Sequence, residues 1–141
     1  MVIADAGYWI ALFNPRDRWH ERAISASEHY EREGFITTDA VVAEACHLLR
    51  QRVNAGVMIG LLNAMKDNEV KFFTPPPELL GRTIQLMQKY QDLPMDYADA
   101  SMVLLAEYLG HGRILSTDVR DFGAYRWKSR NPFQNLLEES T

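Results

Sequence analysis

Short apolar runs alternate with stretches of helical period along this chain, and that alternation leaves few architectures open. Runs at 2–4, 35–37, 70–73 and 113–116 have the length of buried strands. Between them the apolar positions recur every three to four residues. The helical stretches run to Phe13 (closed by Asn14-Pro15), over 18–33 (stopped by Gly34), 38–53, 56–66, 78–90 and 94–109, the last closed by Gly110 and Gly112. Parallel strands need a long crossover, which a helix supplies. Right-handed crossovers then gather the carboxyl ends of the strands on one edge. The expectation is an α/β fold with a mainly parallel central sheet of four to five strands flanked by helices. At 141 residues, one domain spanning 1–141 can bury a core. Its core candidates are Val42, Ala45, Leu49 and Val53; Val57, Leu61, Leu62 and Met65; Leu80, Ile84 and Met87, at core or dimer positions; and Ala100, Val103 and Leu104.

Composition narrows the class. The net charge of −4 argues against a generally basic nucleic-acid coat without excluding a local one. The single Cys46 excludes an internal disulfide and fits a reducing compartment. The apolar N-terminus is broken by Asp5 and has no basic leader, a poor signal peptide. No apolar run approaches membrane-spanning length, so a cytoplasmic protein is expected, with no membrane partner. His20 and His29 are nine apart without a Cys neighbour and read as solvent-exposed. There is no nucleophile elbow, P-loop, dinucleotide glycine fingerprint or Cys/His metal spacing. An Asp-nucleophile phosphoryl transferase at Asp5 would lack its second acid, since position 7 is Gly.

What remains is a pattern of acids. Asp5 closes the first apolar run, and Asp118 closes the fourth, with Thr117 before it and Asp121 after. Glu44 lies near the start of the 38–53 helix. Asp96 and Asp99 open the 94–109 helix three residues apart, on one face. Each has an ordinary reading: Asp5 as a helix cap, Asp96 and Asp99 as a capping box, Glu44 as a solvated side chain, Thr117 as a cap of the next turn, where its hydroxyl could instead hold a metal-bound water. Taken together, Asp5, Glu44, Asp99 and Asp118 all fall on the edge where parallel α/β sheets bind ligands. Four carboxylates there repel, and a hard divalent cation, magnesium or manganese, relieves the conflict. Such an ion suits phosphodiester hydrolysis. Arg113, Arg120, Arg126, Lys128 and Arg130, interleaved with Tyr125 and Trp127, suit a nucleic-acid strand through phosphate contacts and base stacking, or a solvated surface.

Four segments in order, I-A-D-A-G-Y-W-I-A-L-F, T-T-D-A-V-V-A-E-A-C-H-L-L-R, L-P-M-D-Y-A-D-A-S-M-V-L-L-A-E and I-L-S-T-D-V-R-D-F, resemble the PIN domains, specifically the VapC-type toxin ribonucleases. The resemblance covers 2–125 and implies a PIN-like three-layer sandwich. The family's four acids fall on Asp5, Glu44, Asp99 and Asp118, which are thereby the implied catalytic and metal-holding residues. Asp96, Thr117 and Asp121 take supporting or substrate-side places. The resemblance implies a Mg²⁺- or Mn²⁺-dependent endoribonuclease, usually homodimeric, acting on structured RNA such as tRNA or ribosomal RNA. It also implies inhibition by a small cognate antitoxin protein whose tail enters the cleft. Many relatives carry Ser or Thr just after the first acid; Ala6-Gly7 stands there in this chain, so that hydroxyl is absent. Two rivals stay open: a non-catalytic PIN-like module that binds RNA or protein, and a metal-dependent nuclease or phosphoesterase acting on another substrate.

Overall fold

The four expected strands lie side by side, and a fifth, two residues long, extends the sheet at its far edge. The computed structural model describes residues 1–139. In chain order the elements are β1 (Val2–Ala4), α1 (Ala6–Phe13), α2 (His20–His29), β2 (Phe35–Thr38), α3 (Asp39–Arg52), α4 (Ala55–Asp67) and β3 (Lys71–Phe73). A single 3₁₀ turn, Pro77–Leu79, leads into α5 (Leu80–Lys89) and then α6 (Tyr97–Leu109), β4 (Arg113–Leu115) and α7 (Val119–Ala124). The chain continues through β5 (Arg126–Trp127), β6 (Asn131–Pro132), β7 (Gln134–Asn135) and α8 (Leu136–Glu139).

All pairings in the main sheet are parallel, in the order β3-β2-β1-β4-β7, while β5 and β6 form a separate antiparallel pair. The chain steps outward from β1 in both directions, so the crevice between β1 and β4 is a topological switch point, the usual ligand position of an open parallel sheet. Every residue of β1 is fully buried, as its unbroken apolar run requires. Helices cover both faces. Phe35 of β2 meets Tyr8 and Trp9 of α1, ring centroids 6.0 and 6.1 Å away. The Thr38 hydroxyl, an odd number of residues on and so on the opposite face, lies 2.7 Å from the Ser101 hydroxyl of α6. The central helix α6 buries Ala98, Ala100 and all six residues from Ser101 to Ala106, among them Val103 and Leu104.

Local chemistry sets the helix ends. Thr38 caps α3 by accepting from Val41 N, Asn54 caps α4 by accepting from Val57 N, and Gly110 ends α6 at a φ of 79°. Several boundaries differ from the sequence reading. The helix expected over 18–33 is shorter because Asp17 Oδ1 accepts from Trp19 N at 2.9 Å, fixing a turn first. His20 is not solvent-exposed: it is half-buried, its Nδ1 2.7 Å from the Ala11 carbonyl. In α5 the expected stripe is rotated. Thr83 and Leu86 face inward, while Leu80 and Ile84 are 54% and 49% exposed. The bidentate Arg82–Glu107 pair with α6 (3.2 and 2.7 Å) fixes that rotation. Leu62 of α4 is likewise exposed, leaving Leu61 and Met65 to the core. No helix among the described residues is long and apolar enough to cross a membrane.

Candidate active site

Asp5 leaves β1 at its carboxyl end and is buried. It occupies the N-cap position of α1 yet makes no side-chain cap bond, which removes the capping account of this residue. Instead the Ser116 hydroxyl donates to its Oδ2 at 3.0 Å. The same Ser116 oxygen accepts from Asp118 N at 3.0 Å, so one hydroxyl ties together the ends of β1 and β4. Ser116 is held in turn by Asn135 of β7. Asn135 Nδ2 donates to the Ser116 carbonyl at 2.9 Å, and its Oδ1 accepts from Ser116 N at 3.2 Å.

Asp96 and Asp99 form a complete capping box: Asp99 N donates to Asp96 Oδ1 at 2.8 Å, and Asp96 N to Asp99 Oδ2 at 3.2 Å. Capping does not remove Asp99 from the acidic edge. Its Oδ2 also accepts from the Tyr125 hydroxyl at 3.3 Å, and Asp5 and Asp118 both act on its charge. Asp118 caps α7 by accepting from Asp121 N at 3.3 Å. That cap is the one expected of Thr117, which does not supply it. Glu44, in the second turn of α3, lines an open cleft of about 570 Å³ with Asp39, Thr74, Pro75, Asp96 and Tyr97.

The electrostatics follow from this crowding. Burial pushes the Asp5 carboxyl up to about 7, opposed by its hydrogen bonds and assisted by the charges of Glu44 and Asp118. Burial, then Asp96 and Asp5, push Asp99 up to about 8. Glu44 is raised by burial and by Asp96 and Asp118, and Asp118 by burial and its hydrogen bond with Asp121. Four acids on four separate segments therefore share one electrostatic environment that disfavours their ionised forms. Their all-oxygen donor set and mutual repulsion fit a hard divalent cation. As the side chains stand, no three Asp, Glu, His or Cys residues among those described are grouped closely enough to ligate one ion together.

The basic residues divide. Arg113 lies at the amino end of β4, away from the acidic edge, with its guanidinium on Glu33; the N-terminal amine is 3.8 Å from the same carboxylate. Arg120 pairs with Asp121, and Arg126 Nη1 donates to the Gly123 and Tyr125 carbonyls. Lys128 lies over the Trp127 ring, and Arg130 is exposed. Tyr125 cannot stack on a base, because it is fully buried between Tyr90 and Phe122 with centroids 5.0 Å from each.

The sequence reading missed Ser116 and Asn135 altogether and took Tyr125 for a stacking ring rather than a partner of Asp99. Ser116 carried a weak signal, a hydroxyl two residues before an acid at a strand end. Asn135 carried none, since its partner lies 19 residues away.

The fold has a solved counterpart and the sequence a curated relative. A structure of VapC20 from Mycobacterium tuberculosis superposes with a TM-score of 0.76 over 85% of this chain and 92% of that one, at 16% identity. The fold is PIN-like. In sequence, this PIN-like chain is 26% identical over 125 residues to ribonuclease VapC26 of Mycobacterium tuberculosis, covering 89% of the chain and 92% of that protein. The VapC20 structure is described as that of a sarcin-ricin loop cleaving toxin. No family model matches the PIN-like chain.

Proposed function

We propose that this protein is a metal-dependent endoribonuclease that hydrolyses RNA phosphodiester bonds, the toxin of a type II toxin–antitoxin pair. The observation that carries the reading is the buried Asp5, its pKa near 7, sharing one edge with Glu44, Asp99 and Asp118. The VapC relatives, one named a ribonuclease and the other a sarcin-ricin loop cleaving toxin, point the same way. Asp5, Asp99 and Asp118 would hold Mg²⁺ or Mn²⁺, with Glu44 completing the carboxylate set. The bound ion supplies charge neutralisation and Lewis acidity at the phosphate. Glu44, at the wall of the open cleft, orients or deprotonates the attacking water. Ser116 fixes Asp5, and the Tyr125 hydroxyl and the capping box fix Asp99, so two of the acids are oriented before any substrate arrives. Arg120, Arg126, Lys128 and Arg130 follow Asp118 in the chain and would meet phosphates. Structured RNA, tRNA or ribosomal, is the substrate class.

A small antitoxin protein is the inhibitory partner, a homodimer the assembly and the cytoplasm the location. The exposed Leu80 and Ile84 of α5 support a self-association face. A cavity of about 420 Å³ among α1, α2 and α4, with Glu28 and Glu31 in its lining, suits an antitoxin segment carrying basic side chains. The test is cleavage of RNA, single-stranded DNA and a small phosphodiester with Mn²⁺, by the native chain and by Asp5→Asn and Asp99→Asn. Cleavage of RNA alone, lost in both variants, is expected; retained cleavage in both overturns the assignment, and preference for another ester moves it to the second rival. The capping roles of Asp99 and Asp118 favour the other rival, a non-catalytic binding module, and a calorimetric titration showing no Mn²⁺ binding would select it.

A further inference from the structure

We infer that Thr117 is a positioning residue of the acidic site and that Gly7 is the gap that admits its side chain; the inference rests on the metal-dependent nuclease reading above. Thr117 stands between two residues whose roles are settled by hydrogen bonds: Ser116 holds Asp5 and Asp118 N, and Asp118 caps α7. Asn135 fixes the Ser116 backbone from the other side, so the course of the chain through 116–118 is set without Thr117. The Thr117 hydroxyl itself has no hydrogen-bond partner among the described residues.

It lies over Gly7, two residues beyond Asp5 in the first turn of α1. A Cβ on Gly7 would overlap Thr117 Oγ1 and stand 3.1 Å from its Cβ and 3.4 Å from its Cγ2. Gly7 needs its missing side chain for nothing else. It sits in regular helix without a positive φ, where glycine is about 1 kcal/mol worse than alanine. The helix therefore carries a destabilising residue at the one place where a larger one would displace the Thr117 hydroxyl.

The chemistry of the cleft explains what that hydroxyl offers. Ionised carboxylates only accept hydrogen bonds, whereas an alcohol both donates and accepts. A hydrated divalent ion, magnesium above all, keeps several waters when bound. The Thr117 hydroxyl, next to Asp118 in the chain and over the first turn of the helix that follows Asp5, would bond to one such water and orient the hydration shell.

Mn²⁺ titration calorimetry, thermal melting and RNA cleavage on the native chain, Thr117→Val, Thr117→Ser, Thr117→Ala, Gly7→Ala and the Gly7→Ala/Thr117→Ala double variant test this. Thr117→Val, similar in shape but without the hydroxyl, should bind Mn²⁺ about tenfold more weakly at an unchanged melting temperature, and Thr117→Ser should bind as the native chain does. Gly7→Ala should weaken binding when Thr117 is present and add little once Thr117→Ala has removed the clash. Native-like Mn²⁺ affinity in Thr117→Val overturns the role of Thr117, and strictly additive effects of the two substitutions overturn the role of Gly7. Absence of Mn²⁺ binding by the native chain removes the nuclease reading and this inference with it.

Discussion

Asp5 shows how a single carboxyl couples function to stability. Its pKa is 3.8 as a free side chain and about 7 in the fold, so between those values the native state holds a proton that the unfolded chain has released. Stability is therefore full below about pH 4 and falls as pH rises to about 7, by about 4 kcal/mol if Asp5 acts alone. Asp99, raised to about 8, extends the decline in the same direction. Melting curves recorded from pH 5 to 8 without divalent ions should show a falling midpoint, and saturating Mn²⁺ should flatten the trend. Asp5→Asn should abolish RNA cleavage yet raise the melting temperature at pH 8, because the amide carries no charge to desolvate. Ser116→Ala should cost about 1–3 kcal/mol in denaturant titrations, since it strips Asp5 Oδ2 and Asp118 N of a shared partner. The positions of the four acids were legible in the sequence because each sits where a strand ends or a helix begins. The groups that orient them were not: Ser116, Tyr125 and Asn135 act through contacts across 111, 26 and 19 residues respectively.

At the scale of elements, capping chemistry served the sequence reading well and stripe orientation served it poorly. The Thr38 and Asp96 caps follow from residue type at the point where apolar periodicity begins. The rotation of α5 does not, because Leu80 and Ile84 have the same spacing whether they face the core or water, and the Arg82–Glu107 pair decides between them. Glu107 also accepts from Lys128 N at 2.6 Å, so it fixes α5 and the β5–β6 pair together. Thr38 likewise joins two elements, capping α3 and meeting Ser101 of α6 in the core. Thr38→Ala should therefore cost about 2 kcal/mol, the lost cap plus a buried hydroxyl left with fewer partners, measured as a shift in urea midpoint at constant slope. Glu44 rides on α3, so the same substitution should also slow RNA cleavage.

For the molecule as a whole, the parallel sheet and its acidic edge were foreseeable from strand–helix alternation, since handed crossovers allow little else. The fifth strand was not, because two residues carry no period. Yet β7 covers the edge of β4, supplies Asn135 and leads into Leu136 and Leu137, both buried. Removing residues 134–141 should lower the melting temperature sharply and lose cleavage together with the cooperative transition, whereas Asn135→Ala should keep the transition and weaken cleavage. The two ends of the sheet are also chemically opposed: carboxylates collect at the strands' carboxyl ends, and the Met1 amine, Glu33 and Arg113 at their amino ends. A fluorophore or affinity handle joined ahead of Met1 would thus emerge on the far side from the acidic edge. It should report on the protein without obstructing access to the carboxylates.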